Sequence, residues 1–515
     1  MLTDVAVRRR ALALEAENIG LCTANARLKG ENRRLDGECR RLGREVGRLT
    51  ARVTELESTV EKLRRAGKRQ AAPHSKGTHV EHPKRSGRRA GVGYGTKAHR
   101  KVPDHIDETV EVPCPAHCDC GGEVEADGTI DQWIQDLPPV AMRTMLLRIY
   151  KGRCRRCGKA VRGRHPDQTS EAAGAAASMI GPHATALAVD LKKEMGVSER
   201  KICRLFSHFG LSITPGGIAQ AIARAGRRAT ATYQALVLAV RRSQVVTADE
   251  SGWRVHGESA WLWVFVGQAI LQDGTVVRFV VYLVAKGRGF PEASAVLGAG
   301  YPGVIERDGW APYRKFVKAT HQTCTAHLLR RCVGMIEDAK GGDATVPQAL
   351  KAILKDSLAL RAARDAGKVA NGAMATGIVD LRRRVDDLLD SEVTHAGNAR
   401  LLKHLGKESE HLFTFLERPD VEATNWKGEQ AIRPAVVNRK SWGGNFTWAG
   451  ADTQEVLSSV LATARLQGRD PISVLVPLLT SPTPRLADLI LPGVGEGEWR
   501  QVPQPAVLAR PARAP

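Results

Sequence analysis

The 515 residues carry 77 Lys and Arg against 55 Asp and Glu, a formal charge of +22 with a sequence pI near 9.8, and that balance suits a polyanionic partner, DNA above all. The length calls for several domains with ample core. The long apolar stretch from Ala260 to Ala285 is broken by Gln268, Gln272, Asp273 and Arg278, and the N-terminus has no charged-then-apolar export segment; a membrane span and secretion are therefore not expected, and a cytoplasmic protein is.

Residues 1–66 read as a coiled coil. Leucines recur every seven residues at Leu14, Leu21, Leu28, Leu35, Leu42, Leu49, Leu56 and Leu63, and Asn18, Asn25, Asn32, Cys39, Val46, Val53 and Val60 follow four residues later. Leu at d with Val at a favours two parallel strands, and Asn at a fixes register. A homodimer or higher assembly is expected. Glycines at 20, 30, 37, 43 and 47 weaken the helix by up to about 1 kcal/mol each relative to Ala. Residues 67–110 form a basic linker with no apolar period, in which Arg88 and Arg89 suit a minor-groove arm or a solvated tether.

The ten cysteines point to metal ligation more than to a disulfide framework. In the segment 111–170, Cys154-Arg-Arg-Cys157-Gly is one half of a zinc knuckle, and Cys114-Pro-Ala-His117-Cys118-Asp-Cys120-Gly-Gly is a less regular other half. Structural zinc on His117, Cys120, Cys154 and Cys157 keeps the two-residue spacing in both halves, with Cys118 or Cys114 as the alternative first ligand. Residues 171–242 read as helix-turn-helix units, Ser198 capping a helix with Lys201 and Arg204, and Thr214-Pro215 starting a long Ala-rich one. A recognition helix and a plain helical bundle both fit that pattern.

Residues 243–465 carry the candidate chemistry. Gln244 to Ala248 has strand composition, which puts Asp249 at the strand's end. Two apolar runs follow, Trp261–Val266 and Val276–Ala285, separated by the turn signal Gln272-Asp-Gly274. Gly303 to Asp308 looks like a further strand that also ends in an acid. Parallel neighbours ending in carboxylates place both acids at one sheet edge, where a hard cation relieves their repulsion. Glu429 offers a third carboxylate, from a helix. Together they suit two Mg²⁺ ions (or Mn²⁺) set to hold the attacking and leaving oxygens of an in-line phosphoryl displacement. Glu250 and Glu306 are rival ligands, Glu306 by alternation a group that supports Asp308. The stretch 336–415 reads as an all-helical insertion between the second and third acids, and 466–515 as a final helix and a Pro/Arg tail.

The motifs Thr-Ala-Asp249-Glu250-Ser-Gly-Trp, Arg307-Asp308-Gly309-Trp-Ala-Pro-Tyr313, Cys324-Thr-Ala-His327-Leu-Leu-Arg330 and Asn425 through Glu429 to Arg433-Pro434, then Arg439-Lys440, resemble those of DDE transposases of the insertion-sequence-66 family. The family usually reads Glu-Arg at the third acid; this chain has Glu429-Gln430. The resemblance implies a multidomain α/β protein with an RNase H-like mixed sheet, Asp249, Asp308 and Glu429 as a magnesium-binding catalytic triad, a zinc-ribbon segment, and the bacterial nucleoid as its place of work. Transposon ends and target DNA become the expected partners, besides accessory proteins of the same element. Arg330, Arg433, Arg439 and Lys440, with Trp442 and Trp448, suit a strand-backbone contact surface, against the plain reading of a solvated face carrying two core tryptophans. The expected activity is hydrolysis at the element's ends followed by strand transfer. Its rivals are a non-catalytic DNA-binding descendant and a two-metal nuclease that cuts without joining.

Overall fold

The computed structural model describes residues 2–68, 102–137, 140–169, 179–339, 344–495 and 497–501. Arg88, Arg89 and most of the basic linker lie outside them. The chain divides into two units, Met1–Trp133 and Ile134–Pro515, so the segment read as one zinc module straddles the division. Among the described residues no helix is long and apolar enough to cross a membrane.

The first unit is dominated by one helix, α1 (Leu2–Lys68). Its leucine stripe lies in the open: Leu14, Leu21, Leu28, Leu35, Leu42, Leu49 and Leu56 are between 49% and 64% exposed. Further on, His117 bridges Glu123, and the Cys118 carbonyl accepts from Gly121 N at 2.8 Å around a tight turn.

The second unit opens with a hairpin of β1 (Lys151–Arg153) and β2 (Ala160–Arg162). Its turn is closed by Gly158 N donating to Cys154 O at 2.9 Å, with Gly158 at φ 70°. Three helices follow, α2 (Pro182–Lys193), α3 (Glu199–His208) and α4 (Pro215–Arg242). Ser198 occupies the N-cap of α3 but its hydroxyl makes no cap bond, whereas Thr214 does accept from Gly217 N at the start of α4. Ile202 and Phe206 bury one face of α3, while Lys201 and Arg204 lie towards the other, more open one.

A five-stranded sheet forms the centre, made of β3 (Val245–Val255), β4 (Glu258–Ile270), β5 (Val276–Ala285), β6 (Val304–Arg307) and β7 (Thr320–Thr323), with α5 (Phe290–Leu297) between β5 and β6. The spatial order is β5-β4-β3-β6-β7; the first three are antiparallel, β6 runs parallel to β3, and β7 runs parallel to β6. Here the structure corrects an expectation: β3 does not stop at Asp249. It continues six residues to Val255, because Trp253 and Val255 point into the core and a two-residue turn at His256 (φ 53°) and Gly257 (φ 77°) returns the chain as β4. What ends near Asp249 is the parallel ladder with β6, whose last pair is Thr247 with Glu306.

The helical insertion follows α6 (Thr325–Asp338) and comprises α7 (Thr345–Asp365), α8 (Asn371–Leu389) and α9 (Ala396–Leu405), whose Leu350, Leu354, Leu381 and Leu401 share one apolar cluster with Phe415 and with Val245 and Val304 of the sheet. After the short α10 (Thr414–Glu417), α11 (Trp426–Trp442), α12 (Trp448–Leu466) and α13 (Pro471–Thr480) complete the unit. The outer edge of β5 is sealed by α12. Thr463, Ser459 and Glu455, four residues apart on one buried face, accept from the amides of Val280, Tyr282 and Val284 at 2.8–3.0 Å. A row of edge amides that would otherwise invite another strand is thereby satisfied.

Candidate active site

Asp249 and Asp308 each stand two residues beyond the last parallel pair, Thr247 with Glu306. The two carboxylates therefore leave adjoining strands at matching positions, one from inside β3, the other from the loop after β6. The Asp308 carboxylate also accepts from Trp310 N at 2.9 Å, folding its loop back.

Glu429 lies in the first turn of α11, where negative charge is favoured by the helix dipole. Its approach to Asp249 depends on the residue before it. A Cβ placed on Gly428 would lie 3.1 Å from the Asp249 Cβ and 3.4 Å from the Thr247 Cγ2, so only glycine lets this helix turn close on β3 without displacement. Burial, then the charges of Glu250, Asp308 and Glu429, push the Asp249 carboxyl up to about 7. The three acids thus share one electrostatic neighbourhood.

The rivals Glu250 and Glu306 are otherwise engaged. Glu250 is held by Arg288 (Nη2 at 2.7 Å) and by the Tyr313 hydroxyl at 2.6 Å. The Arg288 guanidinium in turn lies 4.0 Å from the Trp310 ring and 4.6 Å from the Trp261 ring. That assembly ties the loop carrying Asp308 to β3. Glu306 is fully buried and accepts from the Thr247 hydroxyl and from Glu422 N. It braces β6 against β3 and the approach to α11, and burial pushes its carboxyl up.

The motif Cys324–Arg330 faces the same neighbourhood. Arg330 donates to the Glu429 carboxylate at 2.9 Å, and His327 Nε2 stands 3.7 Å from it. Burial and the neighbouring Arg330 lower the His327 pKa while Asp308 and Glu429 oppose them, and its Nδ1 is buried without a hydrogen-bond partner. Cys324 is buried and accepts from Asn425 N at 3.4 Å, which fixes the start of α11. Where the family resemblance leads one to expect an arginine beside the third acid, this chain has exposed Gln430, and the positive neighbour comes from α6 instead.

A further acid, Glu408, was not singled out in the sequence. Its carboxylate, fully buried, takes Arg307 at 2.7 Å, Arg314 at 2.6 Å and the Thr323 hydroxyl at 2.6 Å. Through it the helical insertion grips both ends of the Asp308 loop.

The remaining candidates separate by exposure. Arg433 and Lys440 are exposed on α11; Arg439 is half-buried, its pKa lowered by burial and by Arg254. Trp442 meets Trp253 edge-on at 5.8 Å, and both Trp442 and Trp448 are partly buried against the same apolar cluster.

The family model described as Transposase IS66 family matches residues 177–453, more than half the chain. The chain belongs to this family. The match runs from just before α2 through the sheet, the insertion and α11, and so takes in every residue just described around Asp249. Among curated relatives, the uncharacterized protein y4qI of Sinorhizobium fredii is 25% identical over 242 residues, 43% of this chain and 43% of its own length. The uncharacterized protein y4jD of the same organism is 22% identical over 410 residues, covering 73% and 77%. A third, y4hP, is 22% identical over 439 residues, covering 79% and 78%. Two of these matches extend well beyond the family segment of this transposase-family chain.

Among the described residues no three His, Cys, Asp or Glu side chains converge closely enough to hold a metal ion by themselves. For magnesium this is no obstacle, since it is bound through one or two carboxylates plus waters and substrate phosphate. The oxygen donors of Asp249 and Asp308 fit that requirement, and burial first, then the neighbouring carboxylates, raise the Asp249 pKa, a cost of ionisation that a cation would offset. In the cysteine segments, hydrogen bonds from Cys120 lower the Cys118 pKa, and hydrogen bonds from the backbone of Cys157 and Arg156 and the Cys157 thiol lower that of Cys154.

Proposed function

We propose that this member of the Transposase IS66 family is a catalytic DDE transposase with an RNase H-like core. It hydrolyses phosphodiesters at the ends of its element and transfers the freed 3′ ends into target DNA. One observation carries the reading: Asp249 and Asp308 leave adjacent parallel strands in register, with Gly428 admitting the Glu429 turn against Asp249. The strand order, three antiparallel strands followed by two parallel ones, supports the RNase H-like assignment.

Mg²⁺ or Mn²⁺ held by Asp249, Asp308 and Glu429 would supply Lewis-acid polarisation of the scissile phosphate. The chain's own residues organise the rest. Asp249 and Asp308 present oxygens from a rigid sheet, Glu250, Arg288 and Tyr313 fix the Asp308 loop from one side, and Glu408 fixes it from the other. Arg330 holds the Glu429 carboxylate, with His327 Nε2 3.7 Å away, and a cation or a substrate phosphate would compete for one partner or the other. The tight turns at Cys118–Gly121 in the first unit and Cys154–Gly158 in the second each carry thiols at knuckle-like spacing, which supports a structural role for zinc in these segments. Two copies of α1 pairing through the exposed leucine stripe would hold two DNA ends in one assembly.

The test is a joining assay on labelled DNA carrying the sequences that flank the reading frame, with Mg²⁺, using the intact protein and Asp249→Asn. Joined product from the former and none from the latter, with DNA binding retained in both, is the expected result. Nicked but never joined DNA would make the protein a nuclease. Equal product from both proteins would remove Asp249 from the chemistry.

A further inference from the structure

A second charged concavity in the Ile134–Pro515 unit has a cavity volume of about 520 Å³ and is lined by none of the residues around Asp249. Its walls come from three separate stretches: Arg164 and Gln168 after β2, Arg224, Arg227, Arg228 and Gln234 on α4, and Pro484 after α13. The helix explains the clustering. Arg224, Arg227 and Arg228 are spaced i, i+3, i+4 on one flank, while Ile222, Ala225 and Ala229 on the other side of the helix go into the core.

Four guanidinium groups border the cavity and no carboxylate does. Arg228 spends one donor on Ser481 O at 3.2 Å. Arg224 Nε is buried with no hydrogen-bond partner, and burial together with the charge of Arg227 lowers the Arg224 pKa. Like charges gathered at a desolvated wall with an unmet donor are costly unless an anion neutralises them. Guanidinium forks match phosphate oxygens in geometry as well as charge. The volume falls in the range of ligand clefts, on the order of 300–1,000 Å³, enough for a short stretch of sugar-phosphate backbone.

We propose that this arginine-lined cavity is a binding site for backbone phosphates of DNA, separate in its lining from the carboxylates of the sheet. It rests on the reading of the protein as a DNA transposase and names a surface by which the protein would hold a DNA strand outside the reaction centre. The exposed faces of α3 and α11 are then not its sole contacts with DNA.

The experiment measures binding of the full chain to a labelled duplex of mixed sequence across a salt series. The intact protein is compared with Arg227→Gln and with the double variant Arg224→Gln/Arg227→Gln. Each lost phosphate contact makes the slope of log affinity against log salt shallower by about 0.9, so slopes flatter by about 1 and about 2 are expected. Unchanged slopes overturn the proposal. Inorganic tripolyphosphate serves as a second probe in thermal melting. If the double variant loses a tripolyphosphate-induced rise in Tm while its DNA slope stays that of the intact protein, the cavity takes a free anion and the DNA assignment is overturned. Should the double variant not melt cooperatively, Arg227→Gln decides alone, because Arg227 is exposed. Failure of the transposase reading shows elsewhere, as an absence of joined product, and leaves the salt slopes readable.

Discussion

Two acids near the Asp308 loop differ in what surrounds them. Glu408 has no exposed side-chain surface; burial opposes its ionisation, but Arg307, Thr323 and Arg314 outweigh burial and hold the carboxyl below the ordinary range. Asp249 is also largely enclosed, yet its neighbours are Glu250, Asp308 and Glu429, and its carboxyl is pushed up to about 7. An acid given two arginines and a hydroxyl is a structural clamp. An acid surrounded by other acids holds negative charge in reserve for something that is not part of the chain.

The contrast is broken most strongly at the clamp. Glu408→Ala leaves Arg307, fully buried, without its carboxylate, and removing one partner of a buried pair costs about 3–5 kcal/mol. Chemical denaturation of the full chain should show a loss of that size. Because the Glu408 carboxyl is lowered from 4.5, the stability it lends is present above that value and is lost as pH falls through its folded value. The difference between the intact protein and Glu408→Ala should therefore narrow in acid.

At Asp249 the same comparison runs in reverse. Asp249→Asn should abolish joining by on the order of a thousandfold or more, since cation-based charge stabilisation amounts to several kcal/mol and each 1.36 kcal/mol is tenfold. Stability should move the other way. A carboxyl raised from 3.8 to about 7 binds more protons folded than unfolded, so its contribution is present below about pH 4 and disappears as pH rises towards about 7. Without divalent cations, Asp249→Asn should melt higher than the intact protein at pH 8 and no higher at pH 4. Added Mg²⁺ should raise the Tm of the intact protein at pH 8 and leave that of Asp249→Asn nearly unmoved. A lower Tm for Asp249→Asn at pH 8 would count against the electrostatic account.

Much of this was legible in the residues. The runs that became β4 and β5, the Asp273-Gly274 turn and the helices from Pro182 to Arg242 carry strong local signals, and the acids Asp249 and Asp308 were visible because each follows an apolar run. The end of β3 was placed too early because the strand-like composition stops at Ala248; pairing with β4 carries the strand on as far as Val255. β7 was missed for a physical reason. His321, Gln322 and Thr323 are polar, yet buried, and their groups are satisfied by Thr414, Phe415 N and Glu408 about 90 residues away. A strand whose partners come from an insertion leaves no local pattern. Glu408 was invisible on the same ground, as one acid among many in a charged helical stretch.

Gly428→Ala probes the meeting of helix and sheet at Asp249. The added methyl would sit 3.1 Å from the Asp249 Cβ, against a strand that cannot yield far. Overpacking of this kind costs about 1–3 kcal/mol. Joining should fall further than stability does, because any retreat of the first turn of α11 carries Glu429 with it.

The smallest expected effect on stability belongs to Arg330. Its ion pair with Glu429 is solvent-accessible on both sides, 61% and 43% exposed, and such pairs contribute about 0–1 kcal/mol. Arg330→Gln should therefore leave the denaturation midpoint nearly where it is. Its effect on Glu429 is the informative one. If the arginine merely occupies the carboxylate in the absence of a cation, Arg330→Gln should lower the Mg²⁺ or Mn²⁺ concentration that half-saturates the Tm rise. If the guanidinium instead serves a substrate phosphate, that concentration stays put and the loss appears in joining at saturating metal. The two outcomes separate an acid that waits for a metal from one already committed to its arginine, which is the distinction between Asp249 and Glu408 carried over to the third carboxylate.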